Sequence, residues 1–313
     1  MATDPDDEAG LKTRGHATEP KTRGHSAELK TRGHAAPTTR GHGAATAAAD
    51  APVVELRHVS LAFDEKVVLR DVSFTLLAGH TKLILGASGS GKSTILKLIL
   101  GLLRPDDGEV YVGGERVDQM EERELLRVRG GLGMVFQEGA LFDSLTVGEN
   151  VGFKLYEEMH RPLAEIRARV EEVLGFVRLA DYIDRRTTEL SGGQRRRVAI
   201  ARAMASKPGI LLYDEATTGL DPITAITVDE EVVKLRDLEE VGSIVVTHQL
   251  RDAFFVATHE ARRHDGRIEV APADAAKADE AEFIMLKEGL VAFEGNAAEL
   301  RASTDPYIRT FLS

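Results

Sequence analysis

The sequence predicts an α/β fold built on a mainly parallel β-sheet. Three short apolar runs carry this prediction, and helical patterns alternate with them along the chain. A strand that is covered on both faces needs apolar residues at successive positions, whereas a half-exposed strand alternates apolar and polar residues. The three runs are residues 81–85, 210–213 and 243–247.

A glycine-rich loop follows the first of these runs and leads into a helix predicted over residues 93–100. The loop has the form G-x-x-x-x-G-K-[ST], in which successive backbone N–H groups face phosphate oxygens and the helix adds its positive end. A glycine-rich turn without a ligand is the alternative, but strand, loop and helix agree. The residues expected at the phosphates are Gly86, Ala87, Ser88, Gly89, Ser90, Gly91, Lys92, Ser93 and Thr94.

A second anion site is predicted where Ser191, Gly192, Gly193 and Gln194 precede another helical pattern. Ser191 can cap the helix, while the two glycines expose N–H groups at its positive end. The start of an ordinary helix would look similar. The segment lies about twenty residues before the apolar run 210–213, however, and about a hundred after the phosphate loop.

Polar residues follow the other two apolar runs. Asp214 and Glu215 end the run 210–213, and His248 ends the run 243–247. Ligands bind at the carboxyl ends of strands in open α/β sheets, so these side chains are candidates for chemistry. Two solvated acids are the alternative for the pair. His259 competes with His248, but it falls within or beyond the helix predicted after Gln249 and is expected to face solvent or a carboxylate.

In this order and spacing the motifs resemble those of the ATP-binding cassette (ABC) ATPases, over residues 53–313. The resemblance implies the fold of a P-loop NTPase cassette, with ATP and Mg²⁺ as ligands. Lys92 is then expected at the β- and γ-phosphates. Ser93, Asp214 and Gln137, which follows the apolar run 132–136, are expected at Mg²⁺.

The resemblance also implies roles around the reacting phosphate. Glu215 polarises the attacking water and His248 contacts the γ-phosphate. Asp221 belongs to a D-loop, although it is equally an N-cap before Pro222. Phe63 stands where the family carries an aromatic residue that stacks on adenine, and ordinary packing within a strand is its alternative.

The family's arrangement implies a head-to-tail dimer. The signature residues Ser191 to Gln194 cannot reach the phosphate loop of their own chain, so each ATP lies between Lys92 of one copy and Ser191 of the other. A transmembrane permease subunit is the second expected partner. We therefore expect the protein in the cytoplasm, peripheral on the inner face of the cell membrane.

The domain organisation follows the same resemblance, with a nucleotide-binding domain over residues 51–313. A small antiparallel β region is expected at 53–77 and a helical subdomain at about 138–190. The apolar pattern after Pro162 has a helical period. Residues 264–282 read as a surface insertion, and Glu288-Gly289 as the turn of a hairpin.

The first fifty residues differ from the rest because the tetrapeptide Thr-Arg-Gly-His occurs four times in them. It begins at Thr13, Thr22, Thr31 and Thr39. The segment has few large apolar residues, so it cannot bury enough surface to offset chain entropy, and we expect disorder. An array of histidines that responds to metal or pH is the alternative.

Two segments suggest a subgroup. Residues 136–147 and 306–312 resemble the bacterial Mla/Mce lipid-transport ATPases, although Ala216 and Gln194 stand where proline and methionine are frequent. The resemblance implies phospholipid transport, with an Mce-domain lipid-binding protein as a further partner. Alternatives are an ABC transporter for an amino acid, a metal or a drug, a soluble ABC ATPase, and a regulatory nucleotide switch.

Composition excludes several other classes. The formal net charge of −11 gives no sign of the excess of basic residues that nucleic-acid binding requires. The absence of cysteine excludes a disulfide framework and a cysteine metal site, and fits a reducing compartment. The acidic start lacks the apolar core of a secretory signal, and no apolar run approaches the roughly 18 residues of a membrane span, so we expect a soluble protein.

Overall fold

The computed structural model describes residues 51–137, 139–157, 162–264 and 266–313. The predicted tail 1–50 lies outside these residues, as do a few positions of the helical subdomain and of the insertion. The strands are β1 Val54–Phe63, β2 Lys66–Leu76, β3 Thr81–Gly86, β4 Asp107–Val112, β5 Glu115–Arg116, β6 Leu132–Val135, β7 Ile210–Asp214, β8 Gly242–Val246, β9 His259–His264, β10 Arg267–Pro272, β11 Ala281–Lys287 and β12 Leu290–Gly295. The helices are α1 Lys92–Ile99, α2 Glu122–Gly130, α3 Val147–Glu157, α4 Leu163–Phe176, α5 Gly192–Ala205, α6 Pro222–Glu239, α7 Leu250–Thr258, α8 Ala275–Ala278, α9 Ala297–Ala302 and α10 Pro306–Leu312.

The central sheet has six strands in the order β12-β11-β3-β8-β7-β6. All are parallel except β12, which pairs with β11 in the antiparallel sense. The three predicted apolar runs form β3, β8 and β7, which are neighbours at the centre. This confirms the predicted fold class and brings the carboxyl ends of the three strands to one edge.

Both faces of the sheet are buried at its central strands β3, β8 and β7, which explains their continuous apolar runs. Along β3, Leu83 and Leu85 face a core formed with helices α3 to α7, while Ile84 faces a second core. The second core is shared with α1 and with an antiparallel sheet of order β2-β1-β4-β5. The predicted β region 53–77 accounts for β1 and β2, and residues 107–116 complete that sheet as β4 and β5.

Helices α3 and α4 form the helical region between Gln137 and the second glycine motif. The predicted period after Pro162 is confirmed for α4, where Ile166, Val170 and Val173 are buried. Leu163, the first helical residue, is instead 73% exposed.

The predicted insertion contains the end of a hairpin, β9–β10, and the short helix α8. Most residues of β10 are exposed, whereas residues 281–282 already belong to β11 in the central sheet. The predicted turn between β11 and β12 is confirmed, because Glu288 and Gly289 have φ of 51° and 80°, as in the tight turns that join two strands. None of the helices in the described ranges is long and apolar enough to cross a membrane.

A buried carboxyl group in the α6–α7 interface gives a prediction about pH. Burial, with the nearby Asp252 carboxylate as the second cause, raises the pKa of Asp229 to about 8, and Arg251 opposes the shift. The folded protein therefore keeps a proton that the unfolded chain releases, so the contribution of Asp229 to the free energy of unfolding falls between about pH 4 and pH 8 and is level above. Asp229→Asn should raise the free energy of unfolding at pH 8.5 by about 2–5 kcal/mol, and much less at pH 5.

Urea unfolding at the two pH values measures this effect. Asp181→Asn, a change at an exposed aspartate, is the matched control and should give no difference between the two. An equal effect of Asp229→Asn at pH 5 and pH 8.5 would show that the carboxyl group stays ionised in the fold.

Candidate functional site

The candidate site lies at the edge where β3, β7 and β8 end. The glycine loop joins β3 to α1, Asp214 and Glu215 close β7, and His248 follows β8. Asp214 pairs in register with Val246 of β8, and Ile84 of β3 pairs with the same residue. The register therefore places the ends of all three strands at one level.

The phosphate loop requires its glycines for conformation and for space. Gly86, Gly89 and Gly91 have φ of 152°, 78° and 103°, a region that side chains with a Cβ rarely adopt. A Cβ at Gly91 would also lie 2.6 Å from a methyl group of Leu69. The Ser90 hydroxyl is buried and has no hydrogen-bond partner within the described chain, so the loop holds a polar group suited to a phosphate oxygen.

Lys92 is buried at the start of α1 and points back along the loop. Its Nζ donates to the carbonyl oxygens of Gly86 at 2.9 Å and Ala87 at 3.1 Å. It also lies 3.7 Å from Oε1 of Glu215. Burial lowers the pKa of Lys92, and the Glu215 carboxylate opposes that shift. The loop therefore positions its ammonium group between the backbone of the glycine loop and Glu215.

Oxygen atoms suited to a magnesium ion meet beside the loop. The Ser93 hydroxyl donates to Oδ1 of Asp214 at 2.8 Å. Burial raises the pKa of Asp214, and the Ser93 hydrogen bond partly offsets the effect. A hydroxyl and a carboxylate are hard oxygen ligands of the kind that Mg²⁺ prefers, so the pair fits the ion.

Gln137 is exposed in the turn after β6, which ends at Val135 rather than at the predicted Phe136. Within the described residues, no hydrogen bond joins its side chain to Ser93 or Asp214. The structure therefore leaves Gln137 near the end of the neighbouring strand, and its place at the metal stays a prediction.

Glu215 contacts three polar side chains. Its Oε2 accepts a hydrogen bond from the Thr218 hydroxyl at 2.7 Å and lies 2.5 Å from Nδ1 of His248. Its Oε1 faces Lys92. The residue has φ of 51°, an unfavourable value for a non-glycine residue and one that is concentrated at functional sites. The two residues predicted to act on the attacking water and the γ-phosphate are thus in direct contact.

His259 does not compete for this role. Its ring stacks on Phe255 with centroids 4.0 Å apart, and its Nδ1 lies 3.0 Å from the carbonyl oxygen of Phe255. It is half-buried and partly faces solvent, as expected, and its other contacts are with the aromatic ring one helical turn earlier rather than with a carboxylate.

The second glycine motif starts α5 as predicted. Ser191 is the N-cap, its hydroxyl accepts from the Gln194 N–H, and the Gln194 side chain accepts from the Ser191 N–H. Gly192 is exposed, so the start of α5 can be approached from outside the chain. Gly193 is buried, and a Cβ there would lie 2.0 Å from Cγ2 of Thr224 in α6.

Gly193→Ala should therefore displace the start of α5 and destabilise the protein by about 1–3 kcal/mol. Adding Thr224→Ser removes the clashing methyl group while keeping the hydroxyl that bonds to Asp221, so most of the stability should return. Gly175→Ala in α4 meets no atom within 4 Å and should be neutral or slightly stabilising. Thermal unfolding of wild type and the three variants measures this, and a Gly193→Ala protein as stable as wild type would contradict the packing.

Two further predicted residues lie on exposed positions. Asp221 caps α6, where its Oδ1 accepts from the N–H groups of Ile223 at 3.1 Å and Thr224 at 3.0 Å. Its helix-capping role is confirmed, and a role in a D-loop stays a prediction.

Phe63 ends β1 with 47% of its surface exposed, so it is not an ordinary core residue. Its stacking on adenine stays a prediction.

Thr218 was not singled out from the sequence, although its hydroxyl bonds to the central carboxylate. Its position three residues after Glu215 was the available signal, since a tight turn brings such neighbours together. Whether a threonine points to its neighbour depends on the turn geometry, which residue types alone do not specify.

Comparisons with known proteins agree with this geometry. Residues 69–218 match the family model described as ABC transporter. The Arabidopsis thaliana protein TRIGALACTOSYLDIACYLGLYCEROL 3, chloroplastic, is 36% identical over 83% of this chain and 73% of its own length. The Escherichia coli K12 intermembrane phospholipid transport ATP-binding protein MlaF is 32% identical over 84% of this chain and 89% of its own length. The E. coli K12 iron(III) import ATP-binding protein FbpC is 38% identical over 65% of this chain, and the match spans only 57% of FbpC.

A solved structure of the ATP-binding cassette MJ0796, a dimer bound to ADP and Pi in a post-hydrolysis state, superposes with a TM-score of 0.64. It is 31% identical, and the match covers 78% of this chain and 98% of that one. Fold, motif geometry and relatives therefore agree, and the chain belongs to the ABC transporter family as an ATP-binding and ATP-hydrolysing cassette.

Proposed function

We propose that this ATPase powers the transport of lipids, phospholipids among them, as a dimer attached to a membrane permease. The observation that carries the ATPase part is the contact of Glu215 with both Lys92 and His248 at the mouth of the phosphate loop. The lipid part is supported by the similarity to MlaF, which extends over 89% of that protein. It is supported as well by residues 136–147 and 306–312.

ATP binding is assigned to the loop and α1. The backbone N–H groups of residues 86–91 surround the phosphates, Lys92 neutralises their charge, and Phe63 stacks on the adenine. Mg²⁺, held by Ser93, Asp214 and Gln137, would supply positive charge against the phosphate oxygens.

Hydrolysis is assigned to Glu215 and His248. In the structure the Glu215 carboxylate is engaged by Lys92, His248 and Thr218 at once. A γ-phosphate entering the loop competes for the two basic groups, because it carries more negative charge than one carboxylate. Glu215 is then released from them and can orient a water molecule for attack, while His248 turns to the phosphate.

The dimer places the exposed start of α5 against the ATP of a second copy. Ser191 and Gly192 are exposed in the single chain, so nothing in the described residues blocks this approach. MJ0796 forms a dimer with hydrolysis products bound, which supports the same pairing here. ATP then acts as the ligand that favours the closed dimer, and hydrolysis reopens it.

The permease is assigned to an apolar groove beside Gln137. Phe136, Phe142 and Phe153 line it and are all exposed, with the rings of the last two 4.7 Å apart. The buried side chain of Asn150 holds this surface in shape, because it pairs with both the N–H and the carbonyl of Phe142. An apolar helix at the cytoplasmic end of a permease subunit fits such a groove. The ATPase would thus lie on the inner face of the membrane.

Affinity purification from detergent-solubilised membranes tests this assignment. Wild type should retain a permease subunit, phospholipid and an Mce-domain protein. Phe142→Asp should lose all three while it keeps ATP binding. Leu126→Asp changes another exposed apolar residue on α2, outside the groove, and should retain them.

The result also separates the rival substrates. A permease recovered without phospholipid enrichment, together with a bound iron-, sulfate- or amino-acid-binding protein, would overturn the lipid assignment and keep the transporter assignment. Recovery of no membrane protein at all, with ribosomes or DNA instead, would favour a soluble ABC ATPase.

A further inference from the structure

Arg196 lies on α5, five residues after the cap Ser191, and its side chain is almost fully buried. Its guanidinium group reaches two separate segments of the chain. Nη1 donates to the carbonyl oxygen of Phe136 at 3.2 Å, and Nη2 donates to that of Thr218 at 3.3 Å. One side chain therefore connects the helix of the second glycine motif with the segments that follow β6 and β7.

The contact with Thr218 lies next to the Glu215 carboxylate in the hydrogen-bond network. The Thr218 hydroxyl donates to Oε2 of Glu215 at 2.7 Å, and the Thr218 N–H donates to the Glu215 carbonyl at 3.1 Å. Arg196 thus fixes the carbonyl of the residue whose hydroxyl orients Glu215. A shift of this turn would move the carboxylate, and displacement of a reacting group by about 1 Å can cost about 100-fold in rate.

The same helix is held tightly against the segment after this turn. Gly193 packs against Thr224 with no space for a Cβ, and Gly192 faces Leu220. The start of α5 is therefore packed directly against residues 220–224. Phe136, the other acceptor, immediately precedes Gln137.

We propose that Arg196 is a positioning residue for ATP hydrolysis. It connects α5, the helix of the second glycine motif, to the turn that orients Glu215. The inference rests on the proposed role of Glu215 in hydrolysis. The planar guanidinium presents N–H groups in two directions and so serves both carbonyls, whereas a lysine ammonium on a single flexible stem serves one of them at a time. When Ser191 contacts the nucleotide bound to a partner copy, the effect on α5 then reaches the Glu215 carboxylate of the same chain through Arg196 and Thr218.

Steady-state kinetics and nucleotide binding on the full-length protein test this role. Arg196→Gln should lower kcat by about 10- to 100-fold, with the Kd for ATP within about twofold of wild type. The kcat of Arg196→Lys should lie between those of wild type and Arg196→Gln. Arg197→Gln is the matched control, because the neighbouring guanidinium bonds to the Val177 carbonyl in the helical region, and it should keep the wild-type kcat.

A double-mutant cycle separates positioning from general stability. Thr218→Val removes the hydroxyl through which Arg196 acts on Glu215, so it should lower kcat, and Arg196→Gln should add little further loss in that background. Arg197→Gln combined with Thr218→Val should be no slower than Thr218→Val alone.

Other results would overturn the role. They are a wild-type kcat in Arg196→Gln, full multiplication of the Arg196 and Thr218 effects, or a kcat loss matched by an equal loss in Arg197→Gln. Failure of the proposed function would look different, because wild type and Glu215→Gln would then hydrolyse ATP at the same rate.

Discussion

Glu215→Gln is expected to abolish steady-state ATP hydrolysis while leaving ATP binding intact. Glutamine keeps the size of the side chain and can still accept the hydrogen bond from Thr218 that the structure shows at 2.7 Å. It cannot take a proton from water, and loss of a positioned general base costs about 10²–10⁴-fold in rate. Phosphate release measures turnover, and equilibrium binding of ATP measures affinity.

Glu171→Gln is the matched control for this variant. Glu171 is exposed on α4, where it pairs only with Arg167 among the ion pairs of the described residues, and the change should leave turnover unaltered. A Glu215→Gln protein that hydrolyses ATP at a rate near that of wild type would remove Glu215 from the reaction.

Lys92→Ala should have the second largest effect, on nucleotide affinity. The ammonium group is buried and already oriented by two loop carbonyls, so its charge would act at short range on a phosphate bound in the loop. Loss of one charge-assisted contact of this kind costs about 2–3 kcal/mol, or about 100-fold in Kd. Isothermal titration with ATP and with ADP measures the change, and ATP should lose more because it carries the γ-phosphate.

Lys97→Ala provides the comparison, since Lys97 lies one turn and a half later on the same helix and is exposed. Its affinity for ATP should equal that of wild type. An unchanged affinity in Lys92→Ala would mean that the glycine loop does not bind the phosphates.

The sequence alone was sufficient to predict the structural features that depend on residues close together in the chain. The apolar runs of β3, β7 and β8 indicated strands buried on both faces, and the burial of successive residues such as Leu83 and Ile84 confirms the reason. The cap at Asp221 and the turn at Glu288 depend on neighbouring residues, and both were predictable.

Other features depend on contacts between distant segments. Strand β4 pairs with β1 across about fifty residues and β5 pairs with β4, and the mixed composition of these two strands gives no clear period. The stacking of His259 on Phe255 depends on how the chain turns at the end of α7. The bonds of Arg196 to Phe136 and Thr218 span 60 and 22 residues, so a run of three arginines gave no indication which one reaches the site.

The pairing of two copies around ATP is tested most directly by a cross-link. The chain has no native cysteine, so Ser88→Cys in the phosphate loop and Ser191→Cys at the start of α5 can be introduced without competing thiols. In a Glu215→Gln background, a short bis-thiol reagent should join two chains when ATP and Mg²⁺ are present, and should not without nucleotide or with Lys92→Ala added. Monomers under every condition, or cross-linking that ignores ATP, would contradict the proposal that Ser191 of one copy faces the nucleotide of the other.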